Sequence, residues 1–148
     1  MRDKNEEYLI SALRNHGLQV TFQRLAIYGA LCSNHEHPAA DTIYNKIKKR
    51  FPMISLATVY KTLQKFCEVN LIQKVNPMTE TVRYDAERGP HHYMVCMNCQ
   101  SIRNADTVVE EPKVSDSDQK GFHVLRQQVF LYGYCPSCKD KIAQAQVS

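Results

Sequence analysis

Apolar residues recur at helical spacing through the first half of the chain, and the second half breaks into shorter, strand-like runs. Between Asn5 and His16, the residues Tyr8, Leu9, Ala12 and Leu13 share one helical face, and Gly17 offers an easy left-handed stop. Thr21 is a candidate cap for a second helix carrying Leu25, Tyr28 and Leu31, which the polar stretch Ser33 to Pro38 ends. A third helix is expected from about Ala40 to Arg50, with Ile43, Tyr44 and Ile47 inward and Pro52 beyond its end. Ser55 caps a fourth, Leu56 to Glu68, that turns Val59, Leu63 and Phe66 inward and Thr58, Lys61 and Lys65 outward.

Leu71 to Val75 and Thr81 to Tyr84, either side of a turn at Asn76-Pro77, read as a hairpin. Helices followed by a hairpin spell a winged helix, in which the third helix supports the fourth and the fourth enters the major groove. After Asp85 and a break at Gly89-Pro90, three runs read as strands: His92 to Val95, Ser101 to Asn104, and a long run from Phe122 to Tyr134. Pro112 and several acids leave room for only a short or irregular helix between Asp106 and Lys120, and Lys139 to Gln146 should form a closing short helix. The expected fold class is α+β, with a winged helix over residues 1–84 and a small α+β domain over residues 85–148.

Charge sharpens this division. The net charge of +4 is unevenly held, with 12 Lys/Arg against 7 Asp/Glu in residues 1–84 and 7 against 8 in residues 85–148. Residues 42–67 contain no acid, yet Lys46, Lys48, Lys49, Arg50, Lys61 and Lys65 all fall there; the run suits phosphates, or is a solvated helix face. With 43% hydrophobic and 23% charged residues, no membrane-length apolar run and no N-terminal apolar run, the composition is that of a soluble protein expected in the cytoplasm.

The densest chemistry lies in two Cys-x-x-Cys pairs, Cys96 with Cys99 and Cys135 with Cys138, about 35 residues apart. Four thiolates gathered without a disulfide repel one another unless a cation sits among them, and zinc suits four sulfurs without redox chemistry. A structural zinc is the leading reading; two disulfides, or a thiol redox couple at Cys135-Pro136-Ser137-Cys138, are the alternatives. A domain of about 60 residues has a thin core that profits from such a staple. Cys32 and Cys67 sit in helical runs and read as core residues. No nucleophile, base and orienting group recur at useful spacing and no phosphate-binding loop is present, so an enzyme is not expected.

With a winged helix, a histidine-rich junction and two cysteine pairs in this order, the chain resembles the ferric uptake regulator family of bacterial metal-dependent repressors. The resemblance covers nearly the whole chain and is carried by Val20 to Arg24, His37 to Tyr44, Ser55 to Leu63, His91 to Cys99, and Tyr132-Gly133-Tyr134-Cys135. It implies a homodimer that binds an AT-rich, inverted-repeat operator when a divalent ion, Fe2+ or Mn2+, fills a regulatory site between the domains. The peroxide-responsive branch is the most similar, because Asp85 stands where iron-sensing members more often carry glutamate.

On that resemblance His37, Asp85 and His91 are regulatory ligands, and His37 and His91 match the ligands that become oxidised in peroxide sensors. Ferrous iron held by imidazole and carboxylate with an open position reacts with peroxide beside its ligands, and an oxidised imidazole binds metal less well. Tyr93 and Asn104 stand where the peroxide sensors have histidine and aspartate, and complete the candidate set; Asp106 or His92 are the substitutes. Gln127 replaces a histidine of a further metal site found in iron-sensing relatives, so that site is expected to be absent. His16, His35 and His123 are not expected to be ligands. Tyr60 is implied to meet thymine methyls, with Lys61 beside it and Arg24, Ser55 and Thr58 as backbone contacts. The competing functions are an iron- or zinc-responsive repressor of the same family and, from another class, a thiol redox protein.

Overall fold

A computed structural model describes residues 5–75, 81–87, 92–105, 113–125 and 127–147. The chain forms two compact units, Met1–Arg88 and Gly89–Ser148. In the first, α1 (Glu6–Asn15) is capped by Asn5, whose Oδ1 accepts the Tyr8 N–H at 3.0 Å, and ends at Gly17 with φ +70°. His16 is a capping residue, its Nδ1 lying 2.7 Å from the Ala12 carbonyl oxygen. α2 (Phe22–Cys32) starts at the expected Thr21 cap, and α3 (Ala40–Lys48) ends two residues before Arg50. α4 (Leu56–Glu68) has the expected bounds, with Ser55 Oγ accepting the Thr58 N–H at 3.1 Å.

These helices bury one cluster that includes Leu13, Ile27, Tyr28, Leu31, Ile43, Val59, Leu63 and Phe66. Tyr28 and Phe66 meet edge-on at 5.9 Å between ring centres. Cys32 and Cys67 pack against this core half-buried, as expected of structural cysteines. β1 (Gln73–Val75) pairs antiparallel with β2 (Arg83–Asp85), Gln73 opposite Asp85. The pairing carries β2 one residue past Tyr84, so Asp85 belongs to the hairpin. The turn at Asn76-Pro77 and the break at Gly89-Pro90 lie outside the described residues.

The second unit is a three-stranded sheet in the order β4-β3-β5. β3 (His92–Cys96) pairs antiparallel with β4 (Ile102–Asn104) and parallel with β5 (Val129–Gly133). The long strand expected from Phe122 is thus cut to its last third. His92, the first residue of β3, pairs with Val129, so residues 122–125 and 127–128 have no described strand beside them, and Phe122, Val124 and Leu125 are exposed. α5 (Asp116–Gln119) is one short turn, as Pro112 and the acids around it foretell. α6 (Pro136–Val147) begins three residues earlier than expected, because Pro136 can open a helix without the N–H it lacks. Cys138 therefore sits in the first helical turn and not ahead of it. The two units together are α+β, as the sequence pattern predicts.

Candidate metal centres and recognition helix

The four cysteines converge. Cys96 closes β3, Cys99 follows in the turn to β4, Cys135 follows β5 and Cys138 enters α6, so the parallel β3–β5 pairing brings the two sequence pairs side by side. Their four Sγ atoms all lie within 4.8 Å of one another, and Cys99 and Cys135, from different pairs, are 3.8 Å apart. Four sulfurs about 2.3 Å from a central zinc stand about 3.8 Å from each other, so the cradle fits that ion. Two separate disulfides or redox couples would instead keep each sequence pair to itself.

The surroundings favour ionised sulfur unevenly. The Cys135 N–H reaches Cys96 Sγ at 3.3 Å and, with the N–H groups of Cys99 and Asn98, pulls the Cys96 thiol down to about 6 against the opposing effect of burial. Ser101, with its Oγ 3.1 Å from Cys99 Sγ, lowers the Cys99 thiol through its hydroxyl and its N–H. At Cys138 the Asn98 amide, 3.2 Å away, also pulls down, but Cys135, burial, Cys96 and Cys99 outweigh it and push the thiol up to about 11. The Cys138 thiol is held back where those of Cys96 and Cys99 are favoured as thiolates, and a cation among the four would remove that conflict. Asn98 and Ser101, which tune these sulfurs, carry no signal of that role in the sequence beyond lying close to the cysteines.

Among the expected regulatory ligands, His37 and Asp85 come together. Both are buried, 3% and 4% exposed, with His37 Nδ1 3.7 Å from Asp85 Oδ2. That is longer than a hydrogen bond and within the reach of two ligand atoms each about 2.1 Å from one ion. His37 holds φ +52°, a left-handed conformation uncommon for a side chain with Cβ. The strand fixes it there: Arg83 Nη1 donates to the His37 carbonyl at 3.4 Å, the Tyr84 N–H donates to the Pro38 carbonyl at 3.1 Å, and Ala39 bridges Arg83. Asp85 Oδ1 accepts the Glu87 N–H at 2.8 Å, which orients the carboxylate.

His91 and Asp106 lie outside the described residues. In the second unit Tyr93 and Asn104 stand directly opposite each other across β3 and β4. Tyr93 is fully buried and stacks on Phe130 at 5.5 Å. Its neighbour His92 keeps a buried Nδ1 with no hydrogen-bond partner, an orphan that a metal or a water would satisfy. Gln127 precedes β5 and is not part of it, while His35 and His123 are exposed.

On α4 the outward stripe is Ala57, Tyr60, Lys61, Gln64 and Lys65, and the inward one is Val59, Leu63 and Phe66. Tyr60 is 45% exposed, and its hydroxyl donates to Asp41 Oδ2 of α3 at 3.3 Å. Burial first, and then the Asp41 carboxylate, push its phenol up, so it is a donor at neutral pH. Ser55 and Thr58 are engaged in the cap, with their hydroxyls 2.9 Å apart, and Arg24 Nη1 donates to the Gln19 carbonyl at 2.8 Å. The cation run divides: Lys46 donates to Ser33 at 2.9 Å, Lys48 lies over Tyr44, Arg50 lies over Phe51, and Lys65 pairs with Glu68. Lys46 and Arg50 line a cavity of about 420 Å³ shared by α1, α2 and α3, on a wall that α4 does not supply.

A helical unit ending in a hairpin, followed by a small sheet that gathers four cysteines, is shared with a family of metal-responsive transcriptional repressors. Residues 15–132 match the ferric uptake regulator family model, and the chain belongs to that family. It is 31% identical over 137 residues to the peroxide-responsive repressor PerR of Staphylococcus saprophyticus, covering 89% of this chain and 90% of that protein. The crystal structure of the Campylobacter jejuni peroxide stress regulator is 33% identical, spans 88% of this chain and 98% of its own, and superposes with a TM-score of 0.61. The ferric uptake regulator Fur of Helicobacter pylori shares the fold at 17% identity, with a TM-score of 0.70 over 94% of this chain and 97% of its own.

Proposed function

We propose that this chain is a cytoplasmic, homodimeric repressor that binds an AT-rich, inverted-repeat operator when a regulatory Fe2+ or Mn2+ is held by His37, Asp85 and His91, and that peroxide inactivates it. The observation that carries the reading is the buried His37–Asp85 pair, preset at 3.7 Å with His37 in an uncommon backbone conformation. A ligand pair this buried and rigid loses little entropy when it grips an ion. The relatives named as peroxide-responsive supply the direction of the response.

Bound ferrous iron would supply the reductant for peroxide beside two imidazoles. The residues do the rest: Arg83 and Tyr84 hold the His37 segment in place, and Glu87 fixes the carboxylate of Asp85. Zinc at the four cysteines is assigned a structural role, because Cys96 and Cys138 are buried and the two pairs lie at the C-terminal ends of two different, parallel strands, β3 and β5, which the ion would tie together. Dimerisation is assigned to the sheet face on which Met94 and Leu131, opposite each other in register, are both exposed. Among the described residues no helix is long and apolar enough to cross a membrane.

One observation favours a second reading. Tyr93 is fully buried in a ring stack, and a site completed without it would change in metal preference, giving an iron- or zinc-responsive repressor with no response to peroxide. Dilute peroxide given to the ferrous protein separates the two. Our reading expects loss of operator binding together with a gain of one oxygen, read by mass spectrometry, on the peptide carrying His37 or His91. Unmodified peptides with binding retained would support the metal-only reading instead.

A further inference from the structure

We propose that Asp41 is a positioning residue for Tyr60, fixing how the ring is presented to DNA and thereby how strongly thymine methyl groups are read. This rests on the DNA-binding reading above. Asp41 lies in the first turn of α3 and Tyr60 in the second turn of α4, and the 3.3 Å contact between the Tyr60 hydroxyl and Asp41 Oδ2 spans the two helices. The polar end of Tyr60 is thus tied to α3 while nearly half the residue is exposed.

This arrangement decides what the ring can recognise. A hydroxyl committed to a carboxylate is not free to donate to a phosphate oxygen, and the Asp41 charge repels phosphate from that end. What remains for the groove is ring carbon, which discriminates by contact with the thymine methyl and not by hydrogen bonding. Asp41 is also the last acid before residues 42–67, the segment holding Lys61 and Lys65, where a carboxylate without such a task would only weaken attraction to DNA.

The test uses the full-length, zinc- and manganese-loaded protein and an AT-rich inverted-repeat duplex enriched from a random-sequence pool, compared with the same duplex carrying uracil for thymine. Wild type should bind the thymine duplex more tightly by about fourfold for each methyl contacted. Asp41→Ala should bring that ratio close to one, Asp41→Asn should keep most of it, and Asp41→Ala should have no further effect on the ratio in a Tyr60→Phe background. The ratio is insensitive to the general gain in affinity expected from removing an acid, and zinc content with helicity checks that each variant is folded. A ratio unchanged in Asp41→Ala, or absent in wild type that still binds the duplex, overturns the proposal. Failure of the wild type to bind any duplex overturns the DNA-binding reading beneath it.

Discussion

Cys96→Ser is expected to abolish zinc binding and to turn the dimer into a monomer with a disordered C-terminal unit. The reason is the size of the second unit's core. Among the described residues its buried apolar members are Tyr93, Val95, Cys96, Ile102 and Cys138, and two of these five are cysteines of the cluster. Structural zinc contributes on the order of 10 kcal/mol to small domains, comparable to the whole stability of an ordinary one. Serine cannot replace a buried thiolate as a zinc ligand, and its loss also strands the Cys135 N–H that now points at Cys96 Sγ. Zinc content by atomic emission and mass by light scattering check the outcome. A Cys96→Ser protein that remained dimeric would show that the sheet holds without its staple.

His37→Ala should do the opposite: keep zinc and the dimer while losing metal-dependent DNA binding. His37 touches the hairpin through its carbonyl and the Pro38 carbonyl, contacts that alanine retains. Both residues carry a Cβ, so the left-handed φ adds little new strain. What disappears is the imidazole 3.7 Å from Asp85. Because even indirect partners of metal ligands cost 10- to 100-fold in metal affinity, removing a ligand should weaken Mn2+-supported binding by about 100-fold or more. Fluorescence anisotropy with labelled duplex measures it, and zinc content confirms that the second unit is untouched.

Much of this was legible before any coordinates. Ser55 and the repeat of Val59, Leu63 and Phe66 locate α4 to the residue, because a cap and a helical stripe are local properties. The cysteine cluster was legible for a different reason: few arrangements other than a shared cation explain two such pairs. The failures lie where distant partners decide. Residues 122–125 and 127–128 have strand-like composition but no ladder beside them among the described residues, since β3 begins opposite Val129. The cations from Lys46 to Arg50 look like one phosphate-facing surface in the sequence, yet Lys46 reaches back thirteen residues to Ser33, and it and Arg50 line a cavity shared with α1 and α2. Asp41 showed only as the last acid before a basic run; its contact with Tyr60, nineteen residues on, needed the α3–α4 packing.

The division of labour between the two metal centres is the central claim, and anisotropy of the intact zinc-containing protein on an AT-rich inverted-repeat duplex tests it most directly. Binding should appear on adding Mn2+ and vanish when a mild chelator removes that ion, while zinc content stays constant. Equal binding with and without Mn2+ at constant zinc would contradict it, and His37 and Asp85 would then have no regulatory part.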